Sequence, residues 1–339
     1  MDKRISFLHI YGIVLVVLMH SFHNHWEFAL WIDGFIMPLF FFVSGYLFSL
    51  GLQRKKISVY EIKCFGKNGF LFNKAKRLLI PFVVINLVAL FPKFLLNSYA
   101  DRSAELSVTF FFRQFLYPKE SVVVFMWFLP TLFLVFITIV CGAKLMYTLK
   151  IKLPCWFLLF FSLVILLINP IYDVDFLNIG KVIYFSFFFI LGISCCHYGL
   201  DRFLIRNIRL LCPLLVVLYV FLLSVPYFFG KSVTTALIGI VMSFCFAIIY
   251  VQRDYKFFNH LFGASYTIYL LSWFPQTLSQ QVLLSVTDIP WFWGSLIAFV
   301  SGLYLPFIVY AILQKYKDNR FARCCLFLLG QYKRKGTHF

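Results

Sequence analysis

Residues 3–22 read KRISFLHIYGIVLVVLMHSF, and residues 28–50 read FALWIDGFIMPLFFFVSGYLFSL. After Lys3 and Arg4 no Asp, Glu, Lys or Arg occurs before Glu27, and after Asp33 none occurs before Arg54. A helix of about 20 apolar residues crosses a hydrocarbon layer of about 30 Å. Each run is long enough to do so, and two such runs joined by a few residues form a transmembrane hairpin. A basic start followed by an apolar run also opens a signal peptide, but that reading needs a small-residue cleavage site. His20 through Glu27 is bulky and polar instead, so the first run is expected to stay as an uncleaved span.

The same pattern continues along the chain. Of 339 residues, 62% are hydrophobic and 13% charged, with mean hydropathy +0.88. Soluble domains carry about 25% charged residues, so a soluble enzyme, a coiled coil and a disordered tail are excluded. The expected fold is all-α, a polytopic membrane bundle of about ten transmembrane helices. The spans read at about 5–22, 30–50, 78–96, 122–141, 153–170, 181–199, 209–229, 233–250, 264–286 and 291–313. Residues 1–313 form the membrane domain in this reading, and 314–339 a basic cytosolic tail. The tail's short apolar run Cys324–Leu329, between basic ends, suits a segment lying along the membrane surface. The chain shows no internal repeat and no inverted-repeat hydropathy of the transporter kind.

Charge sets the orientation. The formal net charge is +18, from 31 Lys and Arg against 13 Asp and Glu. With the N-terminus in the cytosol, 25 of those 31 basic residues fall on inner segments, and eight of the 13 acids lean outward. That is the positive-inside pattern, and an even number of spans puts both termini inside. Nucleic-acid binding needs a basic face on a soluble domain, so no nucleic-acid partner is expected. All nine cysteines fall on inner loops or inner span ends, away from the side where disulfides form. The loop 51–77 is basic with interleaved aromatics, which suits anionic headgroups or a phosphorylated ligand. The 46 phenylalanines are read as lipid-facing and packing residues.

Polar groups inside the membrane are costly and mark candidate sites. His9 and His20 are eleven residues apart, about three turns and 16 Å, so they share one helix face. Arg4 falls on the opposite side. A His at a helix end is either an interfacial residue or a base of near-neutral pKa able to take a proton from a hydroxyl. Asp33 and Glu27 are candidates to orient His20. His20, His23 and His25 lack the i, i+4 spacing of helical zinc motifs, so no metal site is expected. The second span carries Ser44, Gly45 and Tyr46, as helix-packing residues or as groups facing a substrate. Lys74, Lys76 and Arg77 precede Pro81. They read as positive-inside anchors or as a cradle for phosphates. The fourth span contains MWFLPTLF with Trp127 and Pro130, and the ninth GASYTIYLLSWFPQT with Pro275. Both prolines are expected to kink their helices.

Taken together, these segments resemble the integral-membrane acyltransferase-3 family, which includes bacterial polysaccharide O-acetyltransferases. The resemblance rests on His20 preceded by GIVLVVLM, on FFFVSGYLF, KAKRLLIP, WFLP and SYTIYLL, in that order. It implies transfer of an acyl group, usually acetyl from acetyl-CoA, to a hydroxyl of a glycan or lipid-linked sugar. The donor is a substrate, with no permanently bound cofactor. It further implies a bacterial cytoplasmic membrane and His20 as the catalytic residue. Donor contacts would come from Lys74, Lys76, Arg77 and the residue eleven before His20. Family members have Arg at that last position and this chain has His9; many have His in the ninth span where this chain has Ser272. Ser44, Tyr46 and Trp127 are candidates for stabilising the oxyanion or contacting the substrate. Two other readings fit ten spans with a His stripe: a transporter or flippase for a lipid-linked sugar, and a non-catalytic relative. The resemblance leaves open whether acyl passes directly or through an acyl-histidine.

Overall fold

The computed structural model describes residues 2–22, 28–66, 69–95, 107–169, 171–225, 232–283, 287 and 289–331. Helices account for 83% of the structure, and no strand occurs among the described residues. The long helices are α1 (Lys3–Phe22), α2 (Phe28–Lys55), α3 (Phe70–Leu95), α5 (Phe128–Thr148), α7 (Ile179–Tyr198), α8 (Leu200–Ser224), α9 (Val233–Gln252) and α12 (Trp291–Lys315). Shorter helices are α4 (Val108–Leu116), α6 (Cys155–Ile168), α10 (Ser265–Leu271), α11 (Trp273–Thr277) and α13 (Arg320–Leu328).

Among the described residues, eight helices are long and apolar enough to cross a membrane. The other two expected spans differ in form. The fifth is α6, which at 14 residues is about 21 Å long, short of a full crossing. The ninth is interrupted: α10 ends at Leu271, α11 follows, and residues Leu278–Leu283 wind as a π-helix. Pro275 accounts for the first break, since it has no N–H for the Leu271 carbonyl and its ring crowds that oxygen. The outer stretch between the third and fourth expected spans contains α4, capped by the Ser107 side chain accepting from the Phe110 N–H at 3.0 Å.

The chain forms two compact units. The first comprises residues 1–47 and 191–310, the second residues 48–190 and 311–339. In the first, α1 packs along α9 through Phe7 on Tyr250 (ring centroids 4.5 Å apart) and Tyr11 on Phe246 (6.1 Å). Gly192 lets α7 approach α2: a Cβ there would lie 2.0 Å from the Phe42 carbonyl oxygen. Arg4 holds the start of the chain to α8, its guanidinium 2.7 Å from Asp2 and 3.1 Å from Asp201. In the second unit, Phe48, Phe70, Phe136 and Phe189 interlock at centroid distances of 5.0–5.9 Å. Many phenylalanines are therefore core residues.

Other apolar side chains face outward in stripes. On α8, Leu210, Leu214, Val217 and Phe221 are exposed at the three- and four-residue spacing of one helix face. Leu87, Val88, Phe91 and Leu95 do the same on α3. Helices that pack on one side and expose an apolar stripe on the other are the form a bilayer requires. The chain is a multi-pass membrane protein.

Candidate functional site

In the first unit the candidate residues are arranged along α1. His9 and His20 lie on this one helix, both half-buried, with His20 in the last turn. α2 runs back beside α1 after a five-residue connection. A Cβ on Gly12 would meet the Phe40 ring at 2.9 Å, so these two residues face each other. Counting outward from that contact at about 1.5 Å per residue sets the heights of the rest. Asp33, seven residues before Phe40, comes level with His20, eight residues after Gly12. Ser44 comes level with His9. Tyr46 is buried and in electrostatic reach of Arg4 and Asp201, at the opposite end of α1 from His20. Sixteen residues separate Arg4 from His20, about 24 Å along the helix. By this count Asp33 falls near the height of His20, and Ser44 and Tyr46 fall nearer the Arg4 end of α1. Glu27, like His23 and His25, lies outside the described residues.

The end of α1 is held by groups the sequence analysis did not single out. Gln276, in α11, donates Nε2–H to the Val17 carbonyl at 2.8 Å and to Ser21 Oγ at 2.9 Å. Gln280, in the π-helix, donates to the carbonyls of His20 at 2.9 Å and Ser21 at 2.7 Å. The signal was present in the sequence: two glutamines four residues apart in a membrane span, where unsatisfied amides are costly.

In the second unit the basic cluster opens α3. The Lys74 ammonium lies 4.1 Å from the centre of the Phe136 ring and 5.4 Å from that of Phe70. The electron-rich ring faces attract it. Arg77 follows three residues later, on the same helix face, and its side chain is exposed. Lys76 is turned about 160° away from Lys74 around the helix, with its ammonium 4.2 Å from the Phe72 ring. Lys74 and Arg77 share one helix face, and Lys76 points away from it.

Trp127 sits where a short 3-10 turn, Val124–Trp127, passes into α5. Its indole stacks on Phe185 at 5.7 Å, and the Lys181 ammonium lies 5.8 Å from its ring centre. Its carbonyl accepts from the Thr131 hydroxyl at 2.8 Å, and Thr131 Oγ1 accepts from Asn178 Nδ2 at 2.7 Å. Buried amides therefore also fix this corner. Trp127 lies nine residues before Phe136, the ring under Lys74, or about 13 Å along α5. One unit thus offers cations at one level and an aromatic platform at another.

The comparisons with known proteins agree with this architecture. The model of the acyltransferase-3 family, described as an acyltransferase domain, matches residues 3–311 of 339. No curated protein and no solved structure matches the chain. With its helical membrane bundle matched over nearly its whole length, the chain belongs to the acyltransferase-3 family and is a membrane acyltransferase.

Proposed function

We propose that the chain moves an acetyl group from acetyl-CoA to a hydroxyl of a cell-surface glycan or lipid-linked sugar at a bacterial cytoplasmic membrane, with His20 as general base. The observation that carries this reading is the position of His20: half-buried in the last turn of a membrane helix, with α2, the helix that carries Asp33, packed against α1 where Phe40 meets Gly12. Lys74 and Arg77 meet the donor's phosphates, since paired cations on one face suit a phosphate group. His9, Ser44 and Tyr46, nearer the Arg4 end, line the donor's path. The segment after α12 that carries α13 lies on the inner surface, where its basic residues meet anionic lipid headgroups.

His20 takes the proton from the acceptor hydroxyl as its oxygen attacks the thioester carbonyl, and Asp33 steadies the imidazolium that forms. The carbonyl oxygen becomes an oxyanion, and hydrogen-bond donors aimed at it act on charge that develops in the transition state. Collapse of this intermediate breaks the carbon–sulfur bond. The coenzyme A thiolate leaves with the proton from His20, and the ester remains on the sugar. A positioned base contributes about 10²–10⁴-fold in rate.

The test is release of free coenzyme A thiol by the purified protein in detergent, with and without membrane glycan extract. Glycan-dependent release that falls about 10²-fold or more in His20→Ala is expected. Release that ignores the glycan, or is equal in the two proteins, contradicts the reading.

A further inference from the structure

The last four carbonyls of any helix lack an intrahelical N–H partner. In α1 these include the carbonyls of His20 and Ser21, and one amide caps both: Gln280 Nε2, at 2.9 and 2.7 Å. A turn earlier, Gln276 Nε2 bonds the Val17 carbonyl and Ser21 Oγ, and Ser21 Oγ donates back to the Val17 carbonyl at 2.8 Å. Gln276 is 4% exposed and Ser21 1%, so these bonds form away from water. Burying an amide in a membrane core is favourable only when it is bonded, and both glutamines direct theirs to the end of α1, between Val17 and Ser21.

Three neighbouring features fit the same arrangement. The break at Pro275 and the π-helix over Leu278–Leu283 depart from regular winding in the segment that carries both glutamines. π-turns of this kind recur at functional sites. Gly302 of α12 leaves the room Gln276 occupies: a Cβ there would meet Gln276 Cγ at 2.8 Å and Val17 Cγ1 at 3.2 Å. The Ser279 and Ser301 hydroxyls lie 3.4 Å apart across the same junction.

We propose that Gln276 and Gln280 are positioning residues for His20. They set the height and rotation of the last turn of α1, and with it the place where the imidazole meets the reacting hydroxyl. The inference rests on the reading of His20 as the base. A displacement of about 1 Å at a reacting group costs about 10²-fold in rate, which gives the two amides a purpose beyond holding helices together.

The experiment measures label transfer from radiolabelled acetyl-CoA into the membrane glycan fraction by the full chain. Gln276→Met and Gln280→Met are compared in the wild-type and His20→Ala backgrounds, with melting midpoints in detergent read alongside. Methionine keeps the length of the side chain and removes its donor. The expected result is a fall of about 10²-fold in kcat, an unchanged KM for acetyl-CoA, and no further fall when His20 is already Ala. If Gln276→Met does not fold, Gly302→Ala, which presses on Gln276 from α12, carries the same expectation. Wild-type kcat in the glutamine variants overturns the inference. So does an equal fall in both backgrounds, the mark of a merely structural role. Full activity of His20→Ala alone removes the reading of the base itself, a different outcome from either.

Discussion

At the scale of single residues, what distinguishes the candidates is height and face along a helix, which residue type alone does not reveal. Lys74, Lys76 and Arg77 are three cations within four positions, and by charge they are equivalent. The structure separates them, because 3.6 residues per turn puts Lys74 and Arg77 side by side and turns Lys76 away. Lys74→Met and Arg77→Met are therefore expected to raise the KM for acetyl-CoA at least tenfold, about 1.4 kcal/mol. Lys76→Met has the smaller effect, as steady-state kinetics on the purified protein will show. The eleven-residue spacing of His9 and His20 was legible in the sequence because both lie on one helix. The separation of Tyr46 from His20 was not, since it depends on how α2 sets its turns against α1. Gln276 and Gln280 were also passed over. Their role depends on the end of α1 reaching them across some 260 residues of chain.

At the scale of elements, the eight long spans follow from runs of apolar residues between charged segments, which a sequence displays directly. α6 and the ninth span are less plain, because average hydropathy registers neither a helix that is too short nor one that changes its winding. Pro275 marked the kink, but no residue type marked the π-helix over Leu278–Leu283 that follows it. Close helix approach is another property that only the fold reveals. Gly192 and Gly142 look alike in sequence, but a Cβ on Gly192 would strike the Phe42 carbonyl, whereas one on Gly142 meets nothing within 4 Å. Gly192→Ala is expected to cost about 1–3 kcal/mol, the usual range for overpacking. Gly142→Ala is expected to stabilise α5 by up to about 1 kcal/mol, the helix preference of Ala over Gly. Melting midpoints in detergent should move in opposite directions for the two variants.

At the scale of the whole molecule, family and architecture were legible together: five short motifs in order along the spans, and a match that covers residues 3–311. The charge distribution adds a direction, since most basic residues fall on segments expected to be cytosolic. Acetyl-CoA is large and highly charged and does not cross a bilayer, so a donor site on the cytosolic side makes transfer depend on the face to which the donor is supplied. The most direct measurement is therefore made with radiolabelled acetyl-CoA on membrane vesicles of both orientations, carrying either the wild-type chain or His20→Ala at matched expression. Label is predicted to enter the glycan fraction only in inside-out vesicles, and only with the wild-type chain. Equal labelling with His20→Ala, or labelling confined to right-side-out vesicles, would contradict the account.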